Sequence, residues 1–204
     1  MKYFCYVSDD KIEKLLIEPG EYNVESLVEE EIVTKEKNFN MGLGEILTLF
    51  KFGAKFDKKE RTGLSVTKKP NELSKLEKLI KKIILNGNVL NLNNEPPTNL
   101  RNMGLTFCTY VGNFKVLEYD KNIAILSSQL EKNRLQLACS LKYFSDMGVS
   151  RDGEYLPHSG NYFFFKGTVK PLFSTLFLYQ GIDGNDILGS PIYLAMEPID
   201  GLKL

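Results

Sequence analysis

His158, in the segment Tyr155-Leu156-Pro157-His158-Ser159-Gly160, is the only imidazole among the 204 residues. It is therefore the only side chain whose ordinary pKa puts proton exchange near neutral pH. A Ser–His or Cys–His enzyme would have to be built on it, because a weak nucleophile needs a base within hydrogen-bond reach. No nucleophile is marked to match it. The chain has no Gly-x-Ser-x-Gly elbow, and Ser127-Ser128 falls inside an expected strand. A loop position beside Pro157 and Gly160 is equally that of an ordinary surface histidine.

Other chemistry-bearing groups are less specific. Paired carboxylates for acid and base work cannot be picked from 26 acidic residues without geometry. The run Glu29-Glu30-Glu31 reads as a solvated face. Asp183-Gly184-Asn185-Asp186 offers three oxygen-bearing side chains but lacks the twelve-residue spacing of a calcium loop, so it reads as a β-turn. Gly42-Leu43-Gly44, ahead of an expected helix, has no preceding strand and no third glycine to make a phosphate loop. Cys5, Cys108 and Cys139 are odd in number, far apart and set among apolar neighbours, which suits buried reduced thiols. No metal and no cofactor is expected.

Charge is balanced overall, at 26 basic and 26 acidic residues, but it is segregated along the chain. Residues 1–50 carry a net −6, residues 51–82 a net +7 and residues 83–204 a net −1. The basic block, from Lys51 to Lys82, could attract phosphates. One such segment in a neutral protein makes a poor nucleic-acid binder, and a solvated helix face accounts for it. Nucleic acid is not an expected partner.

The elements that would position these groups follow from periodicity. Tyr3–Val7 reads as a strand, and Ser8 as the N-cap of a helix from Asp9 to Ile17 whose first-turn acids favour the helix dipole. A short helix is expected over 41–50 and paired strands over 52–67. Asn71–Leu85 places Leu73, Leu76, Leu79, Ile80, Ile83 and Ile84 on one stripe of an amphipathic helix. The second half reads as β: a short strand at Val89–Leu92, a Leu105–Tyr119 hairpin turning at Gly112-Asn113, and a hairpin of Ile123–Leu130 with Leu135–Phe144. A loop over Ser145–Gly160 and strands at Tyr162–Val169, Leu172–Gln180 and Ile187–Met196 complete it. The fold class is α+β: one domain over 1–204, mainly an antiparallel sheet or open barrel, with about three helices in the N-terminal half.

The aromatic cluster Tyr162-Phe163-Phe164-Phe165 with Phe173, Phe177 and Tyr179 would either fill a core or line a cavity. In the second case Lys11 or Arg134 at the mouth would fix an anionic ligand. The opening strand is too short for a secretory signal, and no run of apolar residues is long enough to span a bilayer. A cytoplasmic protein with no membrane partner is expected.

Two segments carry a resemblance. Tyr6-Val7-Ser8-Asp9-Asp10-Lys11-Ile12 resembles the Tyr-Val-Ser-x-x-Lys-Val opening of an uncharacterised group of small bacterial proteins. Leu188-Gly189-Ser190-Pro191-Ile192-Tyr193-Leu194-Ala195 resembles the Gly-Ser-Pro-Leu-Tyr-Val-Ala end of the same group. The resemblance covers about 15 residues; it implies a bacterial cytosolic protein and brings no known chemistry. On a functional reading, both ends meet at one polar site containing Ser8, Lys11 and Ser190. On a local reading, Ser8 is a cap and Gly189-Ser190-Pro191 a bulge. Three functions stay open: a binding or sensor module for a small anionic ligand or nucleotide, a homo-oligomeric interaction module, and a small hydrolase or transferase using His158.

Overall fold

A computed structural model of the chain describes residues 3–17, 70–86, 89–94, 100, 103–104, 106–120, 122–152, 154–157 and 159–197. The expected helix at 41–50 and hairpin at 52–67 lie outside them. The described residues form two compact units: Asp9–Val89 make one, and those up to Ser8 and from Leu90 onward make the other.

The smaller unit holds α1 (Asp9–Ile17) and α2 (Pro70–Asn86). Leu76, Leu79, Ile80, Ile83 and Ile84 of α2 are buried at helical spacing, as is Ile12 of α1. Lys75 Nζ meets Glu13 Oε1 at 2.6 Å, and Lys82 Nζ donates to the Leu15 carbonyl at 3.1 Å, near the end of α1 where unsatisfied carbonyls attract a cation. Lys81 pairs with Glu77 one turn back along α2. Of the four described lysines of the basic block, three are thus spent within this unit.

The larger unit is built on β1 (Tyr3–Val7), β2 (Val89–Asn91), β3 (Thr106–Asn113), β4 (Lys115–Tyr119), β5 (Ile123–Leu130), β6 (Asn133–Ser140), β9 (Leu172–Asp183) and β10 (Asp186–Met196). A separate hairpin of β7 (Met147–Val149) and β8 (Tyr155–Pro157) leads into α3 (Ser159–Phe165). The main sheet runs β2-β3-β9-β10-β6-β5-β4, with β1 added on β10. All pairs with a defined register are antiparallel except β10 with β6. The fold is α+β, and the sheet does not close into a barrel.

Two features shape the sheet. One edge of β10 is occupied by β9 along its whole length; the other is shared, with Asp186–Gly189 pairing β6 and Tyr193–Met196 pairing β1. The fork between β1 and β6 falls at Ser190–Ile192, where Pro191 has no N–H to offer a ladder and the β9 register shifts. The second feature is a bend. Only Phe114 separates β3, which pairs β9, from β4, which pairs β5, so the chain itself crosses between the two ends of the curled sheet. Side chains lace the seam: Tyr110 Oη donates to the Gln129 carbonyl at 2.9 Å, and Ser128 Oγ to the Asn113 carbonyl at 2.8 Å. The Tyr110 ring crosses over Gly112, where a Cβ would stand 2.4 Å from it.

The concave side is occupied by side chains. Tyr110, Phe114, Phe173, Phe177, Leu126, Leu135 and Leu137 belong to one buried cluster, with Tyr6 and Phe144 at its far end. Each large apolar side chain buried in this way stabilises the fold by about 1.5–3 kcal/mol. Cys5, Cys108 and Cys139 are buried and none is in a disulfide.

Four expectations are corrected. Gly112-Asn113 is not a hairpin turn, because β3 and β4 pair different strands and Gly112 serves the Tyr110 ring. Tyr162–Val169 is not a strand: α3 covers its first half, closed by Gly167 at φ 72° with Gly167 N–H on Phe164 O and Thr168 N–H on Phe163 O. The described residues therefore hold two helices in the N-terminal half and a third near residue 160. Ser145–Gly160 is likewise not all loop, and β6 stops at Ser140, followed by a 3₁₀ turn over Leu141–Tyr143.

Candidate functional site

Ser8 follows β1 directly and pairs with β10 at the fork. The Ser8 N–H donates to the Ile192 carbonyl at 2.8 Å, two residues along β10 from Ser190. Although α1 starts at Asp9 as expected, Ser8 does not cap it through its side chain, since Ser8 Oγ is buried with no hydrogen-bond partner. Tyr6, two residues earlier, also presents a buried hydroxyl that completes no hydrogen bond. It lies near Ser8 Oγ and the Ser140 backbone, and burial, with Cys139 adding to it, pushes its pKa far above the ordinary phenol value.

Arg134 sits elsewhere. It is in register with Asp186, four residues from Ser190, roughly 13 Å along the strand. Its Nε and Nη2 grip the two Asp186 carboxylate oxygens at 2.8 and 2.6 Å, and Gln136 Nε2 adds a third bond to the same group. The hydrogen bonds from the Arg134 guanidinium hold the Asp186 carboxyl below the usual carboxylate range, against the opposing effect of burial. Lys11 is half-buried on α1, in the other unit. The candidates His158, Glu29-Glu30-Glu31 and Gly42-Leu43-Gly44 lie outside the described residues.

A second polar cluster escaped the sequence reading. Tyr3 Oη donates to Asp146 Oδ2 at 2.8 Å and lies 3.0 Å from Ser145 Oγ, while Ser145 Oγ donates to the Cys5 carbonyl at 3.1 Å. Asn161 Nδ2 of α3 donates to the Ser145 carbonyl. This network ties β1, the turn before β7 and α3 together. Its serine hydroxyl already donates to a backbone carbonyl, so its geometry is that of a buried structural junction.

The surface is more unusual around α3. Asn161, Phe164 and Phe165 face inward, and Phe165 packs edge-on against Tyr119 of β4 at 5.5 Å. That leaves Tyr162 and Phe163 outside, 45% and 60% exposed. Val169 and Leu172 after the helix, Leu117 and Tyr119 on β4, and Ile123 at the start of β5 are exposed as well. Lys166 Nζ stands 5.7 Å from the Tyr162 ring. The aromatic run from Tyr162 favours a strand by propensity, and Lys166-Gly167 is the helix-ending signal that points to α3 instead.

Among the described residues, no group of three His, Cys, Asp or Glu side chains could hold a metal ion, and no helix is long and apolar enough to cross a membrane. The chain matches no protein-family model, no curated protein and no solved structure.

Proposed function

We propose that the protein is an interaction module whose contact surface is α3 with the neighbouring part of β4. The observation that carries this reading is the outward pair Tyr162 and Phe163 beside exposed Leu117 and Tyr119. A neighbouring group of large apolar side chains left in water costs free energy that a partner surface would recover, and aromatic side chains are the usual anchors of such surfaces. The test is a photo-crosslinking amino acid at position 163, with Gln180, an exposed position on β9, as control. A discrete protein adduct at 163 that is absent at 180 supports the reading, and no adduct at either position sinks it.

A second reading is favoured by the fork. Two buried hydroxyls near each other that complete no hydrogen bond of good geometry, Tyr6 and Ser8, would suit a small anionic ligand or nucleotide fragment held by neutral donors, and Ser190 belongs to this reading only as the residue two positions along β10 from the Ser8 partner Ile192. Lys11 and Arg134 carry less weight in it, Arg134 because its guanidinium is already paired with Asp186. Native mass spectrometry of gently purified protein tests it: a stoichiometric excess mass released on denaturation supports a ligand, and the bare chain mass counts against one. The hydrolase reading through His158 gains no support from the clusters described above.

A further inference from the structure

Resting on the interaction-module reading, we infer that the partner at this surface is an acidic segment of another protein, one that sets Asp or Glu beside large apolar side chains. The apolar anchors on this chain are Tyr162 and Phe163 of α3, with Tyr119 beside them where it packs on Phe165. The charges among them are Lys166 and Lys170, both exposed, and no acidic residue occurs from Tyr155 to Ile182. Among the described residues, Lys75, Lys81 and Arg134 each pair with a carboxylate and Lys82 with a carbonyl, whereas Lys166 and Lys170 make no ion pair. The acids of β4 do not neutralise this surface. Tyr119 lies opposite Ala124, on the side of the sheet that faces the core and α3, whereas Glu118 lies opposite Ile125 and projects from the other side. Asp120, whose N–H donates to the Ile123 carbonyl, follows the same alternation away from α3.

The number of cations decides between anionic partners. A nucleic acid gains affinity with each phosphate engaged, and two lysines give only a weak, salt-sensitive hold. An anionic bilayer is recognised by clusters of about four to eight basic residues. A protein needs fewer charges, because aromatic anchors supply most of the affinity while a few charges at the rim fix orientation and reject wrong partners. A second copy of this chain fits poorly. A two-fold contact would bring the same lysines to both sides, and the carboxylates of β4 point away from it.

A random peptide display library panned against the full chain tests this. Enriched peptides are expected to combine Asp or Glu with Phe, Trp or Leu, and their binding, followed by fluorescence anisotropy, should be lost with Phe163→Ser. Reversing both charges, Lys166→Glu with Lys170→Glu, should weaken binding about tenfold or more, while Glu118→Lys on the other side of the sheet should leave it unchanged. The same peptides with Lys in place of their acids should bind the doubly reversed variant better than the parent, a gain that a misfolded variant cannot give. Enriched peptides that are neutral or basic, sensitive to Phe163→Ser but indifferent to both lysines, overturn the acidic partner and spare the interaction module. A library that gives no peptide dependent on Phe163 also overturns the acidic partner, and the absence of a crosslink from position 163 then overturns the interaction module as well. Binding of phosphatidylserine vesicles or a single-stranded oligonucleotide through Phe163, in preference to any acidic peptide, overturns the inference too.

Discussion

The Phe177 ring lies against the bare Cα of Gly189, where a Cβ would stand 2.5 Å from its Cδ2 and 3.1 Å from a Leu137 methyl group. Phe177 and Leu137 are both fully buried, so neither has solvent to retreat into. Gly189→Ala should therefore destabilise the larger unit by about 1–3 kcal/mol, the usual cost of overpacking. Chemical denaturation measures it. Combining it with Phe177→Leu should recover part of the loss relative to Phe177→Leu alone, and strict additivity of the two changes would contradict the contact.

The seam between β3 and β5 depends on side chains, which makes it testable by removing one oxygen. Tyr110→Phe keeps the ring on Gly112 but strips the donor from the Gln129 carbonyl. The expected loss is about 1–2 kcal/mol, that of a hydrogen bond whose acceptor is left behind. Hydrogen exchange should locate the effect: amides of β3 and β5 near the seam should exchange faster, while those of the β9–β10 ladder should change little.

Local patterns were legible in the sequence wherever a neighbour along the chain decides the structure. The stripe from Leu76 to Ile84 specified α2, and the alternation Leu135, Leu137, Cys139 specified β6 and its hairpin with β5. Asp183-Gly184-Asn185-Asp186 is indeed the tight turn of β9–β10, with Gly184 at φ 58°. What could not be read was set by distant partners. Gly112 looked like a turn because the ring that needs its bare Cα was not visible until β3 took its place. Likewise, Tyr162-Phe163-Phe164-Phe165 has strand propensity, yet the burial of Asn161, Phe164 and Phe165 follows helical spacing, and tertiary packing wins. The pairing of β1 with the far end of the chain is a contact across nearly its whole length. The unused side chain of Ser8 could not be inferred from the sequence, because it depends on what β10 and the core leave around it.

Asp186 and Arg134 give a weak acid-side signature. Arg134 lowers the carboxyl pKa below its unfolded value near 4, so the stability it contributes is present above about pH 4 and is lost as pH falls through the lowered value. Both side chains reach solvent, so salt should shrink the effect. Asp186→Asn is expected to flatten the stability profile below pH 4 at low ionic strength, and a profile unchanged in shape would remove the pair from the stability of the β6–β10 junction.

The alkaline side should be steeper, because Tyr6 and Tyr193 are both buried and burial raises both phenol pKa values, with nearby Cys139 and Glu197 respectively pushing the same way. The sign follows from linkage. A folded pKa above the unfolded value near 10 means that stability is intact below pH 10 and falls as pH rises beyond it, because only the unfolded chain releases those protons. Each tyrosine contributes a slope of about 1.4 kcal/mol per pH unit in that range. Tyr6→Phe separates the two. It removes one slope and deletes a hydroxyl that completes no hydrogen bond, so at pH 7 the variant should be as stable as the parent or more so. A marked loss of stability at pH 7 would mean that this hydroxyl has a partner in solution, and it would move the balance toward a bound molecule at the fork between β1 and β6.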